Sequence, residues 1–118
     1  MSRMHEYSIV SALLDQVEAE ARRHTRAEVL RIQVRVGELA GVDGELLRTA
    51  WSLAREGTLC AHAELELTGE AARWVCPDCS GGIEAGAALR CPQCAVPARL
   101  ASGDALVLER IEMEVSDV

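Results

Sequence analysis

Apolar residues fall at Val10, Leu13, Leu14, Val17 and Ala21, a spacing of i, i+3, i+4, i+7 and i+11, while Glu18, Glu20, Arg22 and Arg23 lie off that line. This predicts an amphipathic helix from Glu6 to about Arg23. The period then changes. Leu30, Ile32, Val34 and Val36 alternate with Arg31, Gln33 and Arg35, as in a strand with one buried and one wet face, and Gly37 and Gly41 end it in a loop. Asp43 is placed to cap a second helix with Leu47, Ala50, Trp51 and Ala54 on one face, and Gly57 to stop it. A second strand sets Ala63, Leu65 and Leu67 against His62, Glu64, Glu66 and Thr68. In a third, Ile111, Met113 and Val115 alternate with Arg110, Glu112 and Glu114. Leu106 and Leu108 lie on the opposite phase, which predicts a bulge or a second contact surface midway.

Between Ala71 and Gly103 no period is sustained, and the stretch holds four of the five cysteines and all three prolines. It carries too little apolar surface to pack alone and needs a staple. The expected fold is therefore α+β: two helices packed on a three-stranded sheet, with an inserted four-cysteine, zinc-ribbon-like module. The sheet-and-helix domain takes residues 1–70 plus 104–118, and the inserted module residues 71–103.

At 118 residues the chain is expected to form one small domain with an insertion. No apolar run reaches the ~18–20 residues of a membrane helix, and the N-terminus lacks the apolar stretch of a secretory signal. The expected setting is cytoplasmic. Twelve basic residues stand against nineteen acidic, a net charge of −7, and every basic residue is Arg. The absence of Lys excludes Schiff-base chemistry, and a net negative chain offers little to a phosphate backbone. Nothing pairs a nucleophile with a base, so no enzyme is expected.

The cysteines change the picture most. Cys76-Pro77-Asp78-Cys79 and Cys91-Pro92-Gln93-Cys94 are two Cys-x-x-Cys knuckles separated by eleven residues. Gly81, Gly82 and Gly86 allow the tight hairpin that would bring them together. Four thiolates fill the tetrahedral shell of zinc and leave no open position, so the centre is expected to be structural. Iron in a rubredoxin-like site and a redox dithiol compete with zinc, but the loop lacks aromatics to shield a redox iron. Arg90 is its only basic residue and it offers no stacking ring, so nucleic acid is not expected as a partner. Cys60 lies outside the pattern and is expected to be a buried thiol.

Of the three histidines, His24 and His62 are expected on the surface. His5 follows Met4. In a chain starting at Met4, the terminal amine, the His5 amide nitrogen and the His5 imidazole close a five- and a six-membered chelate ring. Such nitrogen-rich sites suit Ni(II) or Cu(II).

Together these features resemble the HypA/HybF family of nickel metallochaperones. The resemblance is carried by Met4-His5-Glu6-Tyr7-Ser8, Arg35-Val36-Gly37-Glu38-Leu39, Glu56-Gly57-Thr58, Ala63-Glu64-Leu65, the two knuckles and Glu112-Met113-Glu114. It implies a chaperone that binds Ni(II) at His5 and Glu6, with the backbone nitrogens of Met4, His5 and Glu6, and helps deliver it to the [NiFe]-hydrogenase large subunit. It also implies structural zinc on Cys76, Cys79, Cys91 and Cys94. The implied partners are a nickel-supplying maturation GTPase (HypB-like) and the [NiFe]-hydrogenase large-subunit precursor. Met1-Ser2-Arg3 precede the family's usual start and move the terminal amine away from His5, leaving the imidazole and the amides of His5 and Glu6. A zinc-ribbon protein-interaction adaptor without a nickel role is the competing expectation.

Overall fold

The computed structural model describes residues 2–24, 26–84 and 88–116; Gly86, expected to shape the hairpin, lies outside them. The elements are α1 (Ser2–Ala21), β1 (Ala27–Gly37), α2 (Gly44–Ala54), β2 (Glu64–Glu70), β3 (Arg73–Val75), β4 (Gly82–Ile83), β5 (Arg99–Ser102) and β6 (Leu106–Val115). Two three-stranded sheets form, ordered β2-β1-β6 and β4-β3-β5. The α+β architecture of two helices, a three-stranded sheet and a four-cysteine module is thus present, with a second small sheet inside that module. No helix among the described residues is long and apolar enough to cross a membrane.

The chain divides into two compact units. The first takes Met1–Arg35, Val42–Thr68 and Val107–Val118. Its core comes from the residues whose spacing predicted it. Val10, Leu13, Leu14, Val17 and Ala21 of α1 are buried, as are Leu47, Ala50 and Trp51 of α2. Asp43 caps α2 through Oδ1, which accepts the Glu45 and Leu46 amides at 3.0 and 3.1 Å. The Trp51 indole N–H donates to the Ala63 carbonyl at 3.1 Å, so a large buried ring keeps its one polar group satisfied.

Three expectations are corrected. Helix α1 begins four residues before Glu6. On β1, Val29 is fully buried and Leu30 is 44% exposed, so the alternation breaks before Ile32. Both residues are apolar, and local pattern cannot choose between them. Val115, expected inward, is exposed, near the end of β6.

On β6 Leu106, Val107 and Leu108 are half-buried, as are Ile111, Glu112 and Met113, with Glu109 and Arg110 exposed between them. Glu109 pairs with Arg35 at 3.0 Å, while Arg110 and Arg31 both reach Glu112. The wet face of this sheet is a mesh of such pairs, with Arg31 also 3.7 Å from Glu64 and from Glu66. Exposed pairs of this kind stabilise little each.

The second unit takes Val36–Gly41 and Gly69–Leu106. Its strands are two to four residues long and antiparallel, with Trp74 opposite Ile83 on one side and Leu100 on the other. Its base is a close backbone crossing. A Cβ on Gly37 would run into the Gly103 carbonyl, and one on Gly103 (φ 102°) into Ala72. The Glu38 carboxylate accepts the Ala72 amide at 2.9 Å. That accounts in packing terms for Gly37-Glu38 within the Arg35–Leu39 motif.

Candidate metal centres

Each knuckle is a turn closed by its own backbone. The Ser80 amide donates to the Cys76 carbonyl and the Ala95 amide to the Cys91 carbonyl, both at 2.9 Å. The turn places the first sulfur under following amides. Cys76 Sγ accepts from the Asp78 and Cys79 N–H groups at 3.4 Å, and Cys91 Sγ from the Cys94 N–H at 3.4 Å. The two turns bring all four sulfurs within 4.8 Å of one another. Cys79 and Cys91 Sγ are 3.8 Å apart. A tetrahedron with Zn–S bonds of about 2.3 Å has S–S edges of about 3.8 Å, so the cage fits zinc with little movement.

Burial within the cage is uneven. Cys76 and Cys91 are buried, Cys94 is half-buried and Cys79 is exposed. Their protons are uneven too. Amide groups of Cys94 and Gln93 donating to sulfur pull the Cys91 thiol down to about 7. Crowding by the Cys76 and Cys79 thiols pushes Cys94 up to about 12. The Gly81 amide favours ionised Cys79, but the neighbouring Cys76 and Cys91 thiols and burial outweigh it and raise Cys79 as well. Four sulfurs this close cannot all ionise without a cation among them, which is the electrostatic signature of a metal cage. Cys60 stands apart, fully buried, its thiol pushed up to about 11 by burial and by Glu18.

The N-terminal residues are arranged differently. His5 is exposed on α1. Glu6, one residue on, is 1% exposed. Its Oε2 accepts the Asp43 amide at 3.0 Å, and among the described residues its Oε1 has no hydrogen-bond partner. Glu6 falls on the α1 stripe four residues before Val10, so helical phase carried a signal of its burial. Its bond to Asp43, 37 residues away, left no trace in local sequence. The Cys76, Cys79, Cys91 and Cys94 group is the only cluster of three or more metal-binding side chains among the described residues. His5 and Glu6 are therefore not joined by a third such side chain, and His24 and His62 are both exposed.

Comparison with known proteins agrees with these features. Residues 4–113 match the model of the family described as hydrogenase/urease nickel incorporation, metallochaperone, hypA. A relative from Shewanella sp. (strain MR-7), the hydrogenase maturation factor HypA, is 34% identical over 116 residues, covering 97% of this chain and 98% of its own. The HypA of Aquifex aeolicus is 35% identical over 114 residues, covering 95% and 99%. The solution structure of the Ni metallochaperone HypA from Helicobacter pylori superposes with a TM-score of 0.73 at 29% identity, over 94% of this chain and 98% of that one.

Proposed function

The chain belongs to the HypA family of metallochaperones for nickel incorporation into hydrogenase and urease, and from that membership we propose that it carries Ni(II) at His5 and holds zinc on Cys76, Cys79, Cys91 and Cys94. The observation that supports the nickel site is an exposed imidazole near the start of α1, next in sequence to a buried carboxylate whose Oε1 has no hydrogen-bond partner among the described residues. An unsatisfied buried carboxylate oxygen is costly, and a nearby cation would offset that cost.

With no third metal-binding side chain beside them among the described residues, the remaining ligands are read as backbone nitrogens. An amide binds Ni(II) as a nitrogen anion, so its proton must leave. Inside a helix the Glu6 N–H is bonded to the carbonyl four residues back, at Ser2. Loading nickel through the His5 and Glu6 amides therefore opens the first turn of α1. The Glu6 carboxylate, held by the Asp43 amide, limits how far that opening runs. A site that has to break helical bonds holds its cargo loosely enough to release it, which suits a carrier. The action is ligand exchange, with no catalytic step. The donor would be a maturation GTPase and the recipient the [NiFe]-hydrogenase large-subunit precursor, in the cytoplasm.

Zinc fits the cysteine cage by sulfur count, spacing and shared protons, and its closed shell serves structure. The test is a Ni(II) titration of zinc-loaded protein, starting at Met1 or at Met4, each beside its His5→Ala partner. One equivalent bound by both parents and lost in both variants supports the reading. Tighter binding by the Met4 form would assign the terminal amine as a ligand. Binding indifferent to His5→Ala would remove nickel from this end of the chain.

A further inference from the structure

We propose that Cys79 is the chain's modification site, the zinc thiolate that electrophiles and hydroperoxides reach first, and that its oxidation releases the zinc by forming a Cys79–Cys91 disulfide. The inference rests on the zinc reading of the cage. Reaction at a metal-bound thiolate needs access to sulfur, and access differs across the cage. Cys76 and Cys60 are 0% exposed and Cys91 is 5% exposed, Cys94 is half-buried, and Cys79 is open to solvent. The buried Cys76 and Cys91 sulfurs are also held from within, each accepting amide N–H groups of its own knuckle.

With a hydroperoxide the steps balance. The Cys79 thiolate attacks the outer oxygen, an S–O bond forms, the O–O bond breaks, and water or an alcohol leaves after taking a proton. Cys79 is now a sulfenic acid. The Cys91 thiolate, whose sulfur lies 3.8 Å away, attacks the Cys79 sulfur. An S–S bond forms and the sulfenic oxygen leaves as water with a second proton. The two thiolates are oxidised by two electrons and the peroxide is reduced by two. Cys91 is the assigned attacker because its sulfur, on the other knuckle, stands 3.8 Å from Cys79 Sγ. Zinc, left with two thiolates, departs.

The experiment uses wild-type protein shown first to hold one equivalent of zinc; protein that purifies without it overturns the zinc reading and this inference with it. One equivalent of iodoacetamide is added and the cysteines are mapped by mass spectrometry. Cys79 should carry about tenfold more label than Cys94, with Cys60 unlabelled. In parallel, hydrogen peroxide is added to half-release of zinc, followed with a chromogenic chelator, and disulfides are mapped without reduction. A Cys79–Cys91 bond rising in step with free zinc is expected. Label led by Cys94, or a Cys91–Cys94 or Cys76–Cys79 bond in its place, would overturn the proposal.

Discussion

Trp51 and Trp74 report on two ways of holding a chain together. Trp51 is 2% exposed on α2, in the unit whose buried residues include Val10, Val17, Val29, Ile32, Val34 and Leu47. Trp74, on β3, packs against a cluster whose buried members are Cys76, Ile83 and Cys91. Two of those three are sulfurs of the metal cage. The first unit is stabilised by apolar area removed from water, spread over many side chains. In the second, the fold depends on a cage that exists only when its ligands are brought together. Zinc binding and folding are then expected to be one event there, as in other small metal-stapled domains.

Chelation should break this comparison most visibly. Structural zinc contributes on the order of 10 kcal/mol or more at neutral pH, more than the second unit's three-residue buried cluster can replace. A strong zinc chelator should red-shift Trp74 emission and leave Trp51 emission in place, which wild-type and Trp74→Phe proteins separate by difference. Unchanged Trp74 emission after complete zinc removal would mean that the short strands hold without the staple.

The mirror experiment removes core from the first unit. Ile32 is fully buried on β1, and Ile32→Ala should cost about 2–5 kcal/mol in chemical denaturation followed at Trp51. Zinc affinity, measured with a competing chelator, should change by less than about threefold, since Ile32 and the cysteines belong to separate compact units and independent sites are largely additive. Weakening of zinc in proportion to the lost stability would show that the two units share one cooperative transition.

Acid should separate the units more gently. Zinc displaces the protons of its thiol ligands, so affinity rises with pH. At neutral pH Cys94, pushed up to about 12, still holds its proton, and Cys79 is raised in the same direction. Each proton to be displaced makes affinity fall about tenfold, or about 1.4 kcal/mol, per unit of falling pH. Cys91, lowered to about 7, adds its own proton only below that value, where the slope should steepen by one. Competition titrations between pH 6 and pH 9 check this, and a slope constant through pH 7 would rule out the early ionisation of Cys91.

The two regions also differed in how much their sequence revealed. In the first unit a 3.6-residue period repeats over about three turns of α1, from Val10 to Ala21, and a cap can be read from Asp43 alone, so both were legible. Where two adjacent apolar residues compete for one buried position, as Val29 and Leu30 do, the answer was not. Nor was the burial of the Glu6 carboxylate against the Asp43 amide. In the second unit the knuckles were legible because ligand spacing is covalent geometry. Strands β3, β4 and β5 were not, because two to four residues cannot display a period. The uneven burial of the four sulfurs, on which the oxidation proposal stands, also appears only once the turns are folded.

One substitution should have opposite signs in the two units. Ala12 is exposed inside α1, and Ala12→Gly should destabilise by about 1 kcal/mol, since glycine gives up more backbone entropy in a helix. Ala95 follows the second cysteine of its knuckle at φ 55°, a left-handed conformation that strains a residue bearing a Cβ by about 1–2 kcal/mol. Its amide is fixed by the bond to the Cys91 carbonyl, so the turn cannot relax out of that region without losing the bond. Ala95→Gly relieves the strain but adds freedom to the unfolded chain, and the two partly cancel. The net expected effect is a gain of up to about 1 kcal/mol, seen as zinc affinity raised by up to about fivefold. Ser80, at φ 61° in the other knuckle, should respond in the same direction. If Ala95→Gly weakens zinc, the Ala95 methyl has a packing role in the knuckle that outweighs its backbone strain.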